Sequence, residues 1–164
     1  MDTDQDTLVI DRGRRGTVLL ALAAGITAVA TGTAKAASGP DPHKAVDVFV
    51  ATYLEAYNRK DAAGVAALYA DDGVLVPPGP ITSGQPNIEK AWRAVFDAGR
   101  TGLRYDIQQV EAQGDIVWSV GQFSVMSPEQ GGALKERHGN FANIYGWDGD
   151  GLKFRVHAFN FRPA

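Results

Sequence analysis

The spacing of apolar positions changes period once along the chain, near residue 100, and that change divides a helical part from a sheet part. In the first part Phe49, Tyr53 and Tyr57 recur every four residues, and Val46, Val50 and Leu54 form the adjoining row. The result is one broad apolar face on a helix. Asp41 and Pro42 supply an N-cap residue and a first-turn proline, whose missing N–H costs nothing there, so the helix is predicted from 42 to about Lys60. Asp61 caps a second, shorter helix on which Val65, Leu68 and Tyr69 point the same way, and Asp71-Asp72-Gly73 turns the chain into a strand at 74–76. Pro77-Pro78-Gly79-Pro80 can continue neither a helix nor a central strand and forms a rigid loop. Ile88, Trp92, Val95 and Phe96 then mark a third helix at 88–98, which Gly99 ends.

From Leu103 the period falls to two. Strands are predicted near 103–111, 115–126, 134–147 and 152–161, separated by Gly114, by a loop from Ser127 to Gly132, and by Asp148-Gly149-Asp150-Gly151. Helices followed by an antiparallel meander make the fold class α+β. If Asp148 to Gly151 form the last hairpin loop, Trp147 faces Leu152 and the pairing runs on without interruption. One face then carries Phe141, Asn143, Tyr145 and Trp147 opposite Ala158, Val156, Phe154 and Leu152, with Asn160 opposite Gly139. The other carries Ile144 and Gly146 among its residues, opposite Arg155 and Lys153, and also His157 and Phe159. The first face is apolar except for Asn143, Asn160 and the Tyr145 hydroxyl, the composition of a concave pocket wall with a few polar anchors. His157 falls on the outer face, and a one-residue bulge would be needed to turn it inward.

The first 36 residues stand apart from this pattern. Arg12, Arg14 and Arg15 precede an apolar run from Thr17 to Ala30 that ends in Ala34-Lys35-Ala36, the layout of an export signal cleaved before Ala37. The run is shorter than the roughly 20 residues that span a bilayer. Arg14-Arg15 is similar to a twin-arginine signal, although Gly16, Thr17 and Val18 replace its usual polar-x-Phe-Leu continuation. The expectation is a signal peptide at 1–36 and an exported domain at 37–164, in the periplasm or secreted. With 164 residues, 45% of them hydrophobic, one core suffices for a single domain. Cysteine is absent, so the exported domain rests on packing without disulfides, and thiol nucleophiles and cysteine metal sites are excluded. A net charge of -3 without a basic run points away from nucleic acid.

Several segments together carry a resemblance: Tyr53-Leu54-Glu55-Ala56-Tyr57-Asn58, Tyr69-Ala70-Asp71-Asp72-Gly73-Val74, the proline-rich loop with Gly84, and Trp147-Asp148-Gly149-Asp150-Gly151 before a closing strand. From about Asp41 to Phe161 the chain resembles the nuclear transport factor 2-like superfamily, which includes ketosteroid isomerase and SnoaL-like polyketide cyclases. The resemblance implies a cone-shaped α+β barrel, a curved antiparallel sheet wrapped around a long N-terminal helix and two further helices, often dimeric through the outer sheet face. It also implies roles for particular residues. Tyr53 matches the isomerase's first oxyanion-hole tyrosine, and Asn143 aligns with its second oxyanion-hole group, a protonated aspartate. Asn160 takes a pocket-lining position of the last strand. The general-base aspartate has no counterpart, because Pro77 occupies its place, so the isomerase mechanism lacks its proton acceptor.

The candidate catalytic residues are therefore Tyr53, Asn143 and, if it turns inward, His157. The expected ligand-binding set is Tyr53, Tyr57, Trp92, Phe141, Asn143, Tyr145, Val156 and Asn160. Each has a plain structural reading as well: Tyr53 as a core tyrosine with a backbone partner, Trp92 as core, and the two asparagines paired with each other. No H-x-H or H-E-x-x-H spacing suggests a metal, and the Asp148-x-Asp150 loop lacks the remaining calcium ligands, so neither metal nor cofactor is expected. The expected partner is a small apolar molecule carrying a carbonyl or hydroxyl, bound for isomerase-, cyclase- or lyase-type chemistry, and the protein is expected to be a homodimer. The alternative is a non-catalytic dimerisation or interaction module whose cone Phe141, Tyr145, Trp147 and Phe154 fill. The outer face, with Ile144, Phe159, Phe161, His157 and Arg155, is the expected dimer surface.

Overall fold

The structure is a computed structural model that describes residues 40–163. The expected signal segment and its cleavage position lie outside the described residues. Helix α1 (Pro42–Asn58) starts where the Asp41 side chain accepts a hydrogen bond from the His43 backbone N–H at 3.0 Å. Its buried face is Val46, Phe49, Val50, Tyr53, Ala56 and Tyr57. Helix α2 (Ala62–Ala67) is capped by Asp61, which accepts from the Gly64 N–H at 2.8 Å. Helix α3 (Gln85–Asp97) begins three residues before the predicted start, because Gly84 takes a positive φ of 79° and Pro86 fits the first turn. Ile88, Trp92 and Phe96 are its buried positions.

Six strands follow the order β2-β1-β6-β5-β4-β3 in one sheet that does not close on itself. Strands β3 (Thr101–Gln113), β4 (Ile116–Pro128), β5 (Leu134–Asp148) and β6 (Gly151–Phe161) make the predicted antiparallel meander. Two features depart from expectation. Strand β1 (Tyr69–Val76) begins five residues early and runs parallel to β6, so the sheet is not wholly antiparallel. Its first turn-like residues, Asp71-Asp72-Gly73, sit in an irregularity within the strand, and Gly73 is required there because a Cβ would lie 2.9 Å from the carbonyl oxygens of Ala70 and Phe154. A two-residue strand, β2 (Thr82–Ser83), pairs with β1 as an edge.

The last hairpin contains the decisive local event. Its first pairs follow the predicted register, with Trp147 opposite Leu152, Gly146 opposite Lys153 and Tyr145 opposite Phe154. Then β6 carries one extra residue, and from Ile144 opposite Val156 onward every pair is shifted by one. Arg155 is the residue without a partner, and it lies over Gly146, where a Cβ would come within 2.7 Å of its Nε. A bulge of one residue exchanges the two faces of all that follows. His157, Phe159 and Phe161 therefore turn inward, while Val156, Ala158 and Asn160 turn outward. The expected dimer surface loses His157, Phe159 and Phe161 to the interior. It keeps Ile144, which is paired with Trp118 on one side and Val156 on the other in an apolar row across the outer face.

Candidate functional site

The inner face of β6 beyond the bulge meets α1, α3 and β3 around a buried imidazole. His157 is 1% exposed, and both its ring nitrogens are occupied. Nδ1 lies 2.6 Å from the Tyr69 hydroxyl and Nε2 lies 3.0 Å from the Tyr105 hydroxyl. The Tyr69 hydroxyl also accepts from Trp92 Nε1 at 3.3 Å. That contact orients the chain: with Trp92 donating to it, buried Tyr69 sends its own proton to His157 Nδ1, and a neutral imidazole must then carry its proton on Nε2 and donate it to Tyr105. The Tyr53 ring packs beside Tyr105, with ring centroids 5.6 Å apart. The Tyr105 oxygen thus accepts from His157, and among the hydrogen bonds of this cluster its own O–H proton has no acceptor.

Burial sets the charge state of the whole cluster. Desolvation lowers the pKa of His157 from 6.5 to about 3, so the ring is neutral at physiological pH. The same cause, reinforced by the neighbouring phenols, pushes Tyr53 and Tyr105 well above the ordinary tyrosine value, and burial carries Tyr57 to about 12. For Tyr105, the neighbouring Tyr53 hydroxyl works the other way and favours the phenolate, but burial outweighs it. The cluster is a set of neutral donors around one imidazole.

These groups border a cavity of about 20 Å³, room for roughly one water molecule. Tyr53, Tyr57, Trp92, Tyr105 and His157 line it together with the half-buried Arg100, Phe159 and Phe161. Of the residues expected from sequence, Tyr53, Tyr57, Trp92 and His157 come together here. Phe141 does not line the cavity; it backs Tyr105, with ring centroids 4.2 Å apart and nearly parallel planes. Asn143 and Tyr145 are buried beside the site rather than in its wall. Asn143 Nδ2 donates to the Tyr145 hydroxyl at 3.1 Å, Ser119 Oγ lies 2.8 Å from that hydroxyl, and Asn143 Oδ1 is buried without a partner. Val156 and Asn160 leave the site, because the bulge turns them outward. Asn160 is exposed and accepts from Asn140 Nδ2 at 3.4 Å, so the pairing expected between the two candidate asparagines does not form.

Tyr69, Tyr105 and Arg100 were not singled out by sequence. Tyr105 was legible in part, since Leu103, Tyr105 and Ile107 alternate on one face of β3. Tyr69 was assigned to the face of the second helix, whereas it opens β1 and reaches His157 across the parallel pairing. Among the described residues no group of three or more His, Asp or Glu is placed to hold a metal ion.

A family model for the SnoaL-like domain matches residues 50–160, more than half of the chain and all of the site just described except Phe161. The chain belongs to the SnoaL-like family. The family's fold is a small-molecule-binding one with isomerase and cyclase members. Among curated proteins none matches this SnoaL-like chain. Solved structures share its fold at low identity. A ketosteroid isomerase-like protein from Erwinia carotovora atroseptica is 21% identical with a TM-score of 0.66, covering 74% of this chain and 96% of its own. A candidate dehydratase of the NTF2-like family from Streptomyces avermitilis is 17% identical with a TM-score of 0.63, covering 75% and 98%. A candidate calcium/calmodulin-dependent protein kinase II association domain from Xanthomonas campestris is 17% identical with a TM-score of 0.61, covering 72% and 86%. At such identities the likeness concerns the fold, and each activity belongs to its own protein.

Proposed function

We propose that this SnoaL-like domain is exported and binds a small apolar molecule through a carbonyl or hydroxyl oxygen, for acid/base chemistry of the isomerase or lyase type without metal. The observation that carries the reading is Tyr105, whose oxygen accepts from His157 Nε2 while its own proton is left over beside a cavity. A ligand oxygen placed there receives a hydrogen bond from a phenol. Any negative charge passed back to Tyr105 is met by the His157 Nε2–H in a water-poor setting, which is the arrangement that stabilises an enolate-like oxyanion. The role of His157 in this scheme is to donate and to position. Its two nitrogens are already engaged and its cation is strongly disfavoured, so it is a poor general base, and a substrate proton must go to water or to another atom of the substrate.

The small cavity favours a second reading, a non-catalytic interaction module with a filled cone. The two readings separate on one pair of titrations. A planar phenol or enone should bind the parent protein, and Tyr105→Phe should weaken it by about 1.5–3 kcal/mol, roughly 10- to 150-fold, with little change in Tm. No binding by the parent, together with a Tm several degrees lower for Tyr105→Phe, would leave the filled cone as the answer.

Export and assembly belong to the same proposal. Protein recovered outside the cytoplasm should begin at Ala37; an intact Met1 there would end the signal-peptide reading. A homodimer through the outer sheet is supported by the row Trp118, Ile144 and Val156, of which Ile144 is 39% exposed. Ile144→Asp should give a monomer by light scattering, and an unchanged mass would place any interface elsewhere.

A further inference from the structure

Two cations without acidic partners flank the ring of Phe161, which lines the cavity. Arg100, in the connection from α3 to β3, has its guanidinium carbon 5.2 Å from the centre of the Phe161 ring and also lines the cavity. Arg137, on β5, has its guanidinium carbon 5.3 Å from the same ring. Among the described residues neither guanidinium makes an ion pair, although six pairs form elsewhere on the domain. Strand alternation puts Arg137 on the inner face, in phase with Gly139, Phe141 and Asn143. A third polar group belongs to this corner. Ser127 continues the inner-face phase of Phe123 and Val125 on β4, its paired residue is Lys135, and Arg137 is its diagonal neighbour on the same face. Its Oγ is buried and has no hydrogen-bond partner.

Two unpaired guanidiniums on one aromatic ring repel each other, and an unpartnered buried hydroxyl beside them is also unfavourable. An anion removes both defects. Arginine offers a planar fork that matches a carboxylate, and charges this close to one another both act on it, since the screening length at physiological salt is about 8 Å. From Arg100 inward the wall is aromatic as far as Tyr53 and Tyr105. Resting on the binding reading above, we propose that the ligand is an aromatic or enone carboxylic acid: its ring system enters the cone, its inner oxygen meets Tyr105, and its carboxylate is held at the mouth by Arg100 and Arg137, with Ser127 as a further donor. Because the cavity has room for about one water, Phe161, the last residue of β6, swings aside on entry and its ring is replaced between the arginines by the ligand.

The test is calorimetric titration of the full chain with 6-hydroxy-2-naphthoate and with 2-naphthol, which differ by the carboxylate alone. The naphthoate should bind about tenfold or more tightly than the naphthol, and the difference should shrink as salt is raised. Arg100→Gln and Arg137→Gln should each remove most of that advantage, weakening naphthoate binding far more than naphthol binding. Equal binding of the two probes, or an advantage that survives both substitutions, overturns the carboxylate clamp and leaves the binding reading standing. If neither probe binds, both fall. A third probe, 2-naphthyl phosphate, separates the anion class: binding tighter than the naphthoate would reassign the arginines to a phosphate ester and overturn the proposal as stated.

Discussion

The two sides of the Arg155 bulge use aromatic rings to different ends. On the hairpin side Phe49 meets Tyr145 and Phe154 edge-on, with ring centroids 5.0 and 4.6 Å apart, and Tyr145 stacks on Phe154 at 5.4 Å. Those rings fill their space. On the far side His157 is clamped between two phenols, and Phe159 and Phe161 border a cavity and two guanidiniums. The backbone difference between these regions is one inserted residue. Before it, the even-numbered residues of β6 point inward and pack; after it, the odd-numbered residues point inward and bring chemistry. A bulge here works as a switch of face, so that one strand closes a core at one end and presents a polar cluster at the other.

The largest change to the backbone is to remove the bulge itself. Without Arg155 the alternation runs straight from Phe154 to Val156, so Ile144 still pairs with Val156, and His157, Phe159 and Phe161 still face inward. The deletion variant should therefore keep a cooperative thermal transition and a buried His157, and a variant that no longer folds would show that the bulge, and not the inner face alone, holds the register. A smaller but sharper contrast comes from truncating one ring on each side. Phe154→Ala removes a fully buried ring and should cost about 3–5 kcal/mol, a Tm lower by more than about 10 °C. Phe161→Ala, at the half-buried mouth, should cost under about 1.5 kcal/mol, and comparable losses at both positions would mean that the mouth is as firmly packed as the core.

The third effect is on pH dependence. His157 is depressed in the folded protein to about 3 and returns to 6.5 on unfolding, so between these values the unfolded chain binds the additional proton. Its contribution to stability is complete above pH 6.5 and is lost as pH falls toward 3, with a slope approaching about 1.4 kcal/mol per pH unit. His157→Gln should reduce the slope in that window by about one proton. An identical acid profile in parent and variant would mean that the imidazole titrates normally in the folded state.

What the amino-acid sequence disclosed follows the range of the interactions concerned. The caps at Asp41 and Asp61 were legible because each is a contact over two or three residues, and the apolar faces of α1 and α3 because a helix repeats itself locally. The hairpin loop and its first three pairs were legible for the same reason. The parallel pairing of β1 with β6 was not, since it joins distant parts of the chain and leaves no local trace. It is this pairing that brings Tyr69 to His157. The bulge entered only as the condition for turning His157 inward, because counting outward from a loop assumes no inserted residue. A trace of it was present nonetheless: the inward apolar phase runs through Leu152 and Phe154 and then resumes at His157, Phe159 and Phe161, with Asn160 and Arg162 as the polar alternates. A strand whose alternation changes phase announces a bulge. Tyr53 came from the family resemblance and stands in the site. Asn160 came from the same source combined with the uninterrupted register, and it went astray with that register.

The claim on which the rest depends is the state of one imidazole, and ¹⁵N NMR of the histidine side chains reads it directly. The His157 ring should be neutral, with Nε2 protonated and Nδ1 bare, and its shifts should stay constant from neutral pH down to about 4. A proton found on Nδ1, or a ring that titrates near 6.5, would contradict the chain from Tyr69 through His157 to Tyr105 and with it the free proton offered to the cavity.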